Sequence, residues 1–227
     1  MKSLKLLSII FLFTTLNINA QSGNNKPFNL KRFLKKTPWT FNVGGHVIDD
    51  DGQPFSDLFN VSKSWNFLPF PSRLAIEAQI KNDLSAQFDC AYTKINPGKI
   101  INSNEIKNTE SFDFFNTDVN CKYNFDKYLG NKPWFSAYTV GGLGFTHHGY
   151  IEKKYRNTCT VNLGIGFNFW LYENLGINLN STAKFSVILQ NTNYLQHSIG
   201  VIYRYKKSMG NKPGKIGNRY SFLKSKF

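Results

Sequence analysis

The sequence predicts an all-β fold, an eight-stranded antiparallel transmembrane β-barrel, and three observations carry that prediction. Eight runs alternate apolar and other residues with a period of two, as strands do when their two faces meet different surroundings. The chain opens on a short export signal and has no later run of 18 apolar residues, which leaves the periplasm, the exterior or an outer membrane as its destination. The connections between the runs alternate long and short, as in a membrane barrel with tight turns on one side and longer loops on the other.

Met1 to Ala20 carries Lys2 and Lys5, then the apolar run Leu6 to Leu16, then Asn17-Ile-Asn-Ala20 before Gln21. This reads as a secretory signal peptide, so the mature chain of about 207 residues begins at Gln21. No cysteine follows the cut, and a lipidated anchor is not expected. Residues 21–37 are polar and basic with little periodicity, which reads as a linker. The barrel is expected over 38–205 and a tail over 206–227.

The first strand runs from Trp39 to Ile48, with Trp39, Phe41, Val43, Gly45 and Val47 on one face and Thr40, Asn42, Gly44 and His46 on the other. It stops at the turn signal Asp49-Asp-Asp-Gly52. A long loop to Pro71 follows, too aromatic for a loose linker: Phe55, Phe59, Trp65, Phe67 and Phe70. Arg73 to Lys81 and Leu84 to Thr93 both alternate cleanly and make a hairpin around Asn82-Asp83. Lys94 to Glu110 is a long polar connection. Phe115 to Tyr123 alternates again, and a turn over 124–133 leads to Trp134 to Phe145. Gly141, Gly142 and Gly144 leave the facing of that strand ambiguous and suggest close packing or a bend. Thr146 to Arg156 is expected to be a loop carrying His147 and His148. Asn157 to Trp170, a short connection, Leu175 to Phe185 and Tyr194 to Tyr205 complete the set. The strands are about as long as the ~9 to 11 residues a tilted strand needs to cross a bilayer. An even strand number puts both termini in the periplasm.

In the last run, YLQHSIGVIYRY, the residues Leu195, His197, Ile199, Val201, Tyr203 and Tyr205 share a face opposite Gln196, Ser198, Gly200, Ile202 and Arg204. A soluble sheet would turn the apolar face to a core and a membrane barrel would turn it to lipid; alternation alone does not choose. The order Ser198, Gly200, Tyr203, Tyr205 resembles the terminal-strand insertion signal of bacterial outer-membrane barrels, and with the export signal it favours the barrel.

Aromatic residues make up 16% of the chain, with 21 Phe and 11 Tyr, which suits girdles at two membrane interfaces. Mean hydropathy is −0.36, so a helical membrane protein is excluded. Cys90, Cys121 and Cys159 are odd in number and widely spaced, neither a disulfide framework nor a metal motif, and read as small apolar residues on strands. No cofactor is expected. Every acidic residue lies between Asp49 and Glu173, within a body whose charges balance. The net charge of +14 therefore sits at the ends: the signal peptide, then Lys26, Lys31, Arg32, Lys35 and Lys36, then a tail with Lys206, Lys207, Lys212, Lys215, Arg219, Lys224 and Lys226. A nucleic-acid partner is not expected, because a basic stripe with interleaved aromatics would lie on the folded surface. Like-charge flanks are ordinarily solvated; the alternative is docking onto a periplasmic or envelope protein.

Parity directs Arg73, Glu77, Lys81, Asp89, Asp118, Lys122, Lys184 and Arg204 into the lumen. An eight-stranded barrel has an interior just wide enough for side chains, so these charges are expected to satisfy one another; a gated conductance is the other reading. A filled lumen leaves no room for a substrate. His46, His147, His148 and His197 sit in no recognisable nucleophile motif, and no enzyme is expected.

Four stretches, FNVGGHVIDDDGQPFSDLFNVSKSWNFLPFPSRL (Phe41 to Leu74), PWFSAYTVGGLGFTHHG (Pro133 to Gly149), VNLGIGFNFWLYENLGINLNS (Val161 to Ser181) and YLQHSIGVIYRY, resemble the barrel of OmpA-type outer-membrane proteins in the form typical of Bacteroidota. The resemblance implies a monomeric barrel in contact with outer-membrane lipid, with a structural or loop-presenting role. It supplies no catalytic residues. Longer members continue into a peptidoglycan-binding domain, whereas 22 residues follow Tyr205 here, so anchoring through such a domain is not expected. A subunit of a larger secretion or gliding apparatus, docked through the basic flanks, and a small diffusion channel are the rival readings.

Overall fold

The computed structural model describes residues 37–52, 61–62, 64–101, 106–107, 110–130, 132–151, 154–187 and 193–205. The expected signal peptide, all of the linker but Thr37, the tail with its seven basic residues, and Phe55 and Phe59 lie outside them.

The strands in order are β1 (Trp39–Gly52), β2 (Trp65–Phe67), β3 (Arg73–Gln79), β4 (Leu84–Ile95), β5 (Ile100–Ile101), β6 (Ile106–Lys107), β7 (Phe112–Asn124), β8 (Phe135–Ile151), β9 (Lys154–Trp170), β10 (Leu175–Ser186) and β11 (Asn193–Tyr205). β11, β10, β9, β8, β7, β4, β3 and β1 lie side by side in that order, all antiparallel, and β11 pairs back onto β1. The result is a closed eight-stranded antiparallel β-barrel. β2 also pairs with β1, beyond the point where β3 stops, so β2 and β3 share one stave. β5 and β6 form a small separate hairpin.

Burial shows which way the alternation faces. Asn42, His46, Gln87, Asn120, Asn168, Asn178, Gln196 and Ser198 are buried, while Val43, Leu74, Phe88, Val119, Leu163, Ile165, Ile199 and Val201 are exposed. Polar side chains fill the inside and apolar ones coat the outside, the reverse of a soluble sheet and the arrangement a bilayer demands. Pairing of β11 back onto β1 removes the two free edges that an open sheet of these strands would show to hydrocarbon. At the seam Gly44 lies opposite Gly200, and a Cβ on Gly44 would overlap the Ile199 carbonyl and the Gly200 Cα, so this pair brings the two strands close.

Three expectations need correction. Thr146 to Arg156 is no loop: β8 continues through Ile151 and β9 begins at Lys154, with pairs such as His147 with Asn157. Its outward side is polar there, His147 Nδ1 lying 2.6 Å from Asn157 Oδ1, so the apolar marks of a membrane strand are missing although the ladder continues. The long loops before Pro71 and over 94–110 contain the short strands β2, β5 and β6. Lys81 does not enter the lumen, because β3 ends at Gln79 and Lys81 lies exposed in the turn leading to β4.

At the end opposite the termini the polarity changes again. Ile48, Ile95, Phe112, Phe114 and Tyr194 pack together inside the wall. Outside at the same level, the Tyr92 hydroxyl donates to Asp113 Oδ1 at 2.6 Å. Here apolar rings gather inside the wall, with the buried His148 edge-on to Phe114 at 4.8 Å between ring centroids.

Candidate functional site: the barrel lumen

The lumen is organised around three cations and three carboxylates, all delivered by inward positions of β3, β4, β7 and β10. Arg73 pairs with Asp89, Lys122 Nζ lies 2.7 Å from Glu77 Oε2, and Lys184 pairs with Asp118. Each of the six side chains is buried or nearly so. Among these six side chains formal charge balances pair by pair, as suits groups whose charge would be costly to bury unpaired.

Register explains why the pairs are needed. Asp89 of β4 and Asp118 of β7 stand directly opposite each other in the sheet, so two carboxylates share one short cross-strand step. Like charges in that position repel. Arg73, on the strand beyond β4, neutralises the first. Lys184 neutralises the second from β10, three strands away round the wall, and so reaches across the lumen as a strut. Asp118 also accepts from Asn116 Nδ2 at 3.2 Å and Asn162 Nδ2 at 3.1 Å.

Amides and hydroxyls fill the space between. Asn42 Nδ2 donates to Asn178 Oδ1 at 2.9 Å, and Asn178 Nδ2 donates to Asn168 Oδ1 at 2.7 Å and to the Tyr138 hydroxyl at 2.6 Å. Thr160 donates to Asn162 at 2.9 Å, and Asn162 in turn reaches Asn120 at 3.2 Å. The Tyr138 ring carries Lys122 Nζ 3.8 Å from its centroid and lies over its cross-strand partner Gly166, where a Cβ would strike it. The cavity left beside Glu77 and Lys122 measures about 10 Å³, room for roughly one water. Above the charges, the hydroxyls of Thr146 and Tyr194 share a 2.6 Å hydrogen bond beneath the apolar cluster.

Of the eight charges that parity directs inward, six make these pairs. Arg204 stands apart, its guanidinium 4.0 Å from the centroid of the Trp170 ring near the termini, and Lys81 is in the turn. Ser198 and Gly200 face the lumen, while Tyr203 and Tyr205 face out beside Phe41 and Trp39. The three cysteines are free and lie on strands. Among the described residues no group of three His, Cys, Asp or Glu side chains could hold a metal ion.

Sequence reasoning missed two features. Tyr138, the hub of the amide network, sits in the glycine-rich strand whose facing was ambiguous; the inward partners Ser136 and Val140 at two-residue spacing were the available signal. His46 Nδ1 lies 2.8 Å from Ser72 Oγ, both buried. Among the described residues no carboxylate hydrogen-bonds that histidine. The pair holds the end of an irregular segment, since the His46 backbone N–H also donates to Ser72 Oγ at 3.3 Å.

No family model matches the chain, and no curated protein matches it in sequence. Its structure is similar to that of Neisserial surface protein A (NspA), with a TM-score of 0.51 at 12% identity, covering 75% of this chain and 97% of that one. It is similar to the same extent to the outer membrane protein OprG from Pseudomonas aeruginosa, with a TM-score of 0.51 at 9% identity, covering 75% of this chain and 97% of that one. At such identities the likeness concerns architecture alone: the chain has the fold of the eight-stranded outer-membrane β-barrels.

Proposed function

We propose that this protein is a closed, non-conducting outer-membrane barrel of OmpA type, with both termini in the periplasm, that serves the cell envelope structurally and presents its loop end at the surface. The observation that carries this reading is the packed lumen, which holds three ion pairs, an amide network and an apolar cluster. A path for ions would require the Lys184 to Asp118 strut and the cluster above it to open together. The length of β8 and β9, 17 residues each, supports projection of the loop end, because ~9 to 11 residues suffice to cross a bilayer. The polar pair His147 and Asn157, next beyond Phe145 and Cys159 on the outward side, supports it too.

Planar-bilayer recording with the purified barrel tests the central claim. The expected outcome is a flat trace at moderate voltage. Reproducible conductance steps would favour the gated-channel reading instead.

A further inference from the structure

On the outer surface of the barrel, β2 and β3 fail to form one continuous stave. β1 pairs with Arg73 at Gly44 and with Phe67 at Val47, so two residues of β1, Gly45 and His46, stand opposite five, Leu68 to Ser72. That is an excess of three, and it takes the four residues Leu68 to Pro71 out of the ladder. Ser72 restores the pairing, its N–H donating to the Gly44 carbonyl at 2.8 Å and its carbonyl accepting from Tyr92 N–H at 2.9 Å. The expelled segment, Leu68-Pro-Phe-Pro71, lies over the seam between β1 and β11 and encloses an open crevice of about 520 Å³. Phe70 is exposed.

The floor of this crevice is the outward face of the seam: Val43 and Gly45 on β1, Ile199 and Val201 on β11, with Ile177 of β10 beyond. Gly45 removes a side chain where one would fill the space, since a Cβ there meets nothing within 4 Å. Two features fit the segment for hydrocarbon surroundings. Pro69 and Pro71 have no N–H, so two of the four residues from Leu68 to Pro71 carry no backbone donor. No lining residue is charged. The crevice is continuous with the apolar band that faces lipid, and its volume falls in the range of about 300–1,000 Å³ typical of ligand sites.

We infer that the crevice under Leu68 to Pro71 is a binding site for one acyl chain of a bilayer phospholipid, held between the seam and the aromatic overhang. Apolar walls recognise the chain and leave the headgroup free. The site depends on the apolar band lying in the bilayer and not on whether the lumen conducts.

The test uses the full-length mature protein folded into nanodiscs of phosphatidylethanolamine and phosphatidylglycerol, doped with a phospholipid bearing a diazirine on one acyl chain. After irradiation, adducts are mapped by mass spectrometry. The expected result is labelling of Val43, Phe70 and Val201 several-fold above Leu163 and Val119, which are at least as exposed elsewhere on the barrel. Gly45→Phe should fill the crevice and reduce the excess to background without changing the gel mobility of the unheated barrel; Phe70→Ala, which removes the overhang, should do the same if Gly45→Phe does not fold. Even labelling around the barrel, labelling unchanged in both variants, or protection of the crevice by a second copy or by this chain's own Phe55 or Phe59 overturns the inference. Loss of the adducts on adding lipopolysaccharide overturns the phospholipid assignment.

Discussion

Lys184 is the residue on which the lumen most depends, because it alone crosses the bore to neutralise Asp118, whose carboxylate already faces Asp89. Lys184→Met should destabilise the barrel by about 3–5 kcal/mol, the usual cost of stranding one partner of a buried pair. Urea unfolding in lipid, followed by loss of the unheated gel band, measures it; an unmoved midpoint would mean that water or Asn116 and Asn162 already compensate Asp118. Adding Asp118→Leu to Lys184→Met should recover part of the loss, since removing both charges strands neither. The inward side of these residues was legible in the sequence, because parity along a strand is set by backbone geometry alone. Their pairing was not. Whether Asp118 meets Lys184 or Arg73 depends on how far round the wall β7 and β10 stand, and no local pattern encodes that distance.

At the scale of elements, legibility follows the bilayer. β1, β3, β4, β7, β10 and β11 were marked by the contrast between lipid and lumen, and their cores emerged within a few residues of their observed bounds. β8 and β9 were legible only to the level where the contrast ends; beyond Phe145 both sides carry polar residues and the ladder continues unannounced. β2 was hidden for another reason: three residues on the edge of an aromatic stretch leave no period to read. The terminal strand supports a prediction of its own. Tyr203 and Tyr205 stand outward against Phe41 and Trp39 at the end of the barrel that carries the termini. Tyr205→Ala should lower the amount of assembled barrel in cells, with deletion of 203–205 lowering it further; heat-modifiable barrel levels equal to wild type in both would assign these aromatics to the girdle alone.

Taken as one body, the barrel should fractionate with the outer membrane and migrate differently before and after boiling, because a closed ladder has no edge at which detergent can begin to open it. Recovery in the soluble periplasm would contradict the lipid-facing assignment of the apolar band. The balanced charge of the body against its basic flanks leads to a further expectation. Deleting 206–227 should leave the unheated mobility intact and remove a co-purifying envelope component that is held at low salt and released at high salt, since exposed charges are screened beyond about 8 Å at physiological ionic strength. An unchanged set of components at both salt concentrations returns the tail to a solvated end.

Closure by Trp39 against Tyr205 also has a consequence in time. β1 can pair with β3 as soon as both exist, but its other edge waits for the last strand of the barrel to be made and exported. Until then Arg73, Lys122 and Lys184 hang from an incomplete wall, with no dry interior to receive them. A chain that stops short of β11 is therefore not a smaller barrel but an open sheet with two bare edges. The final strand completes the ladder and the enclosure of the lumen in one step.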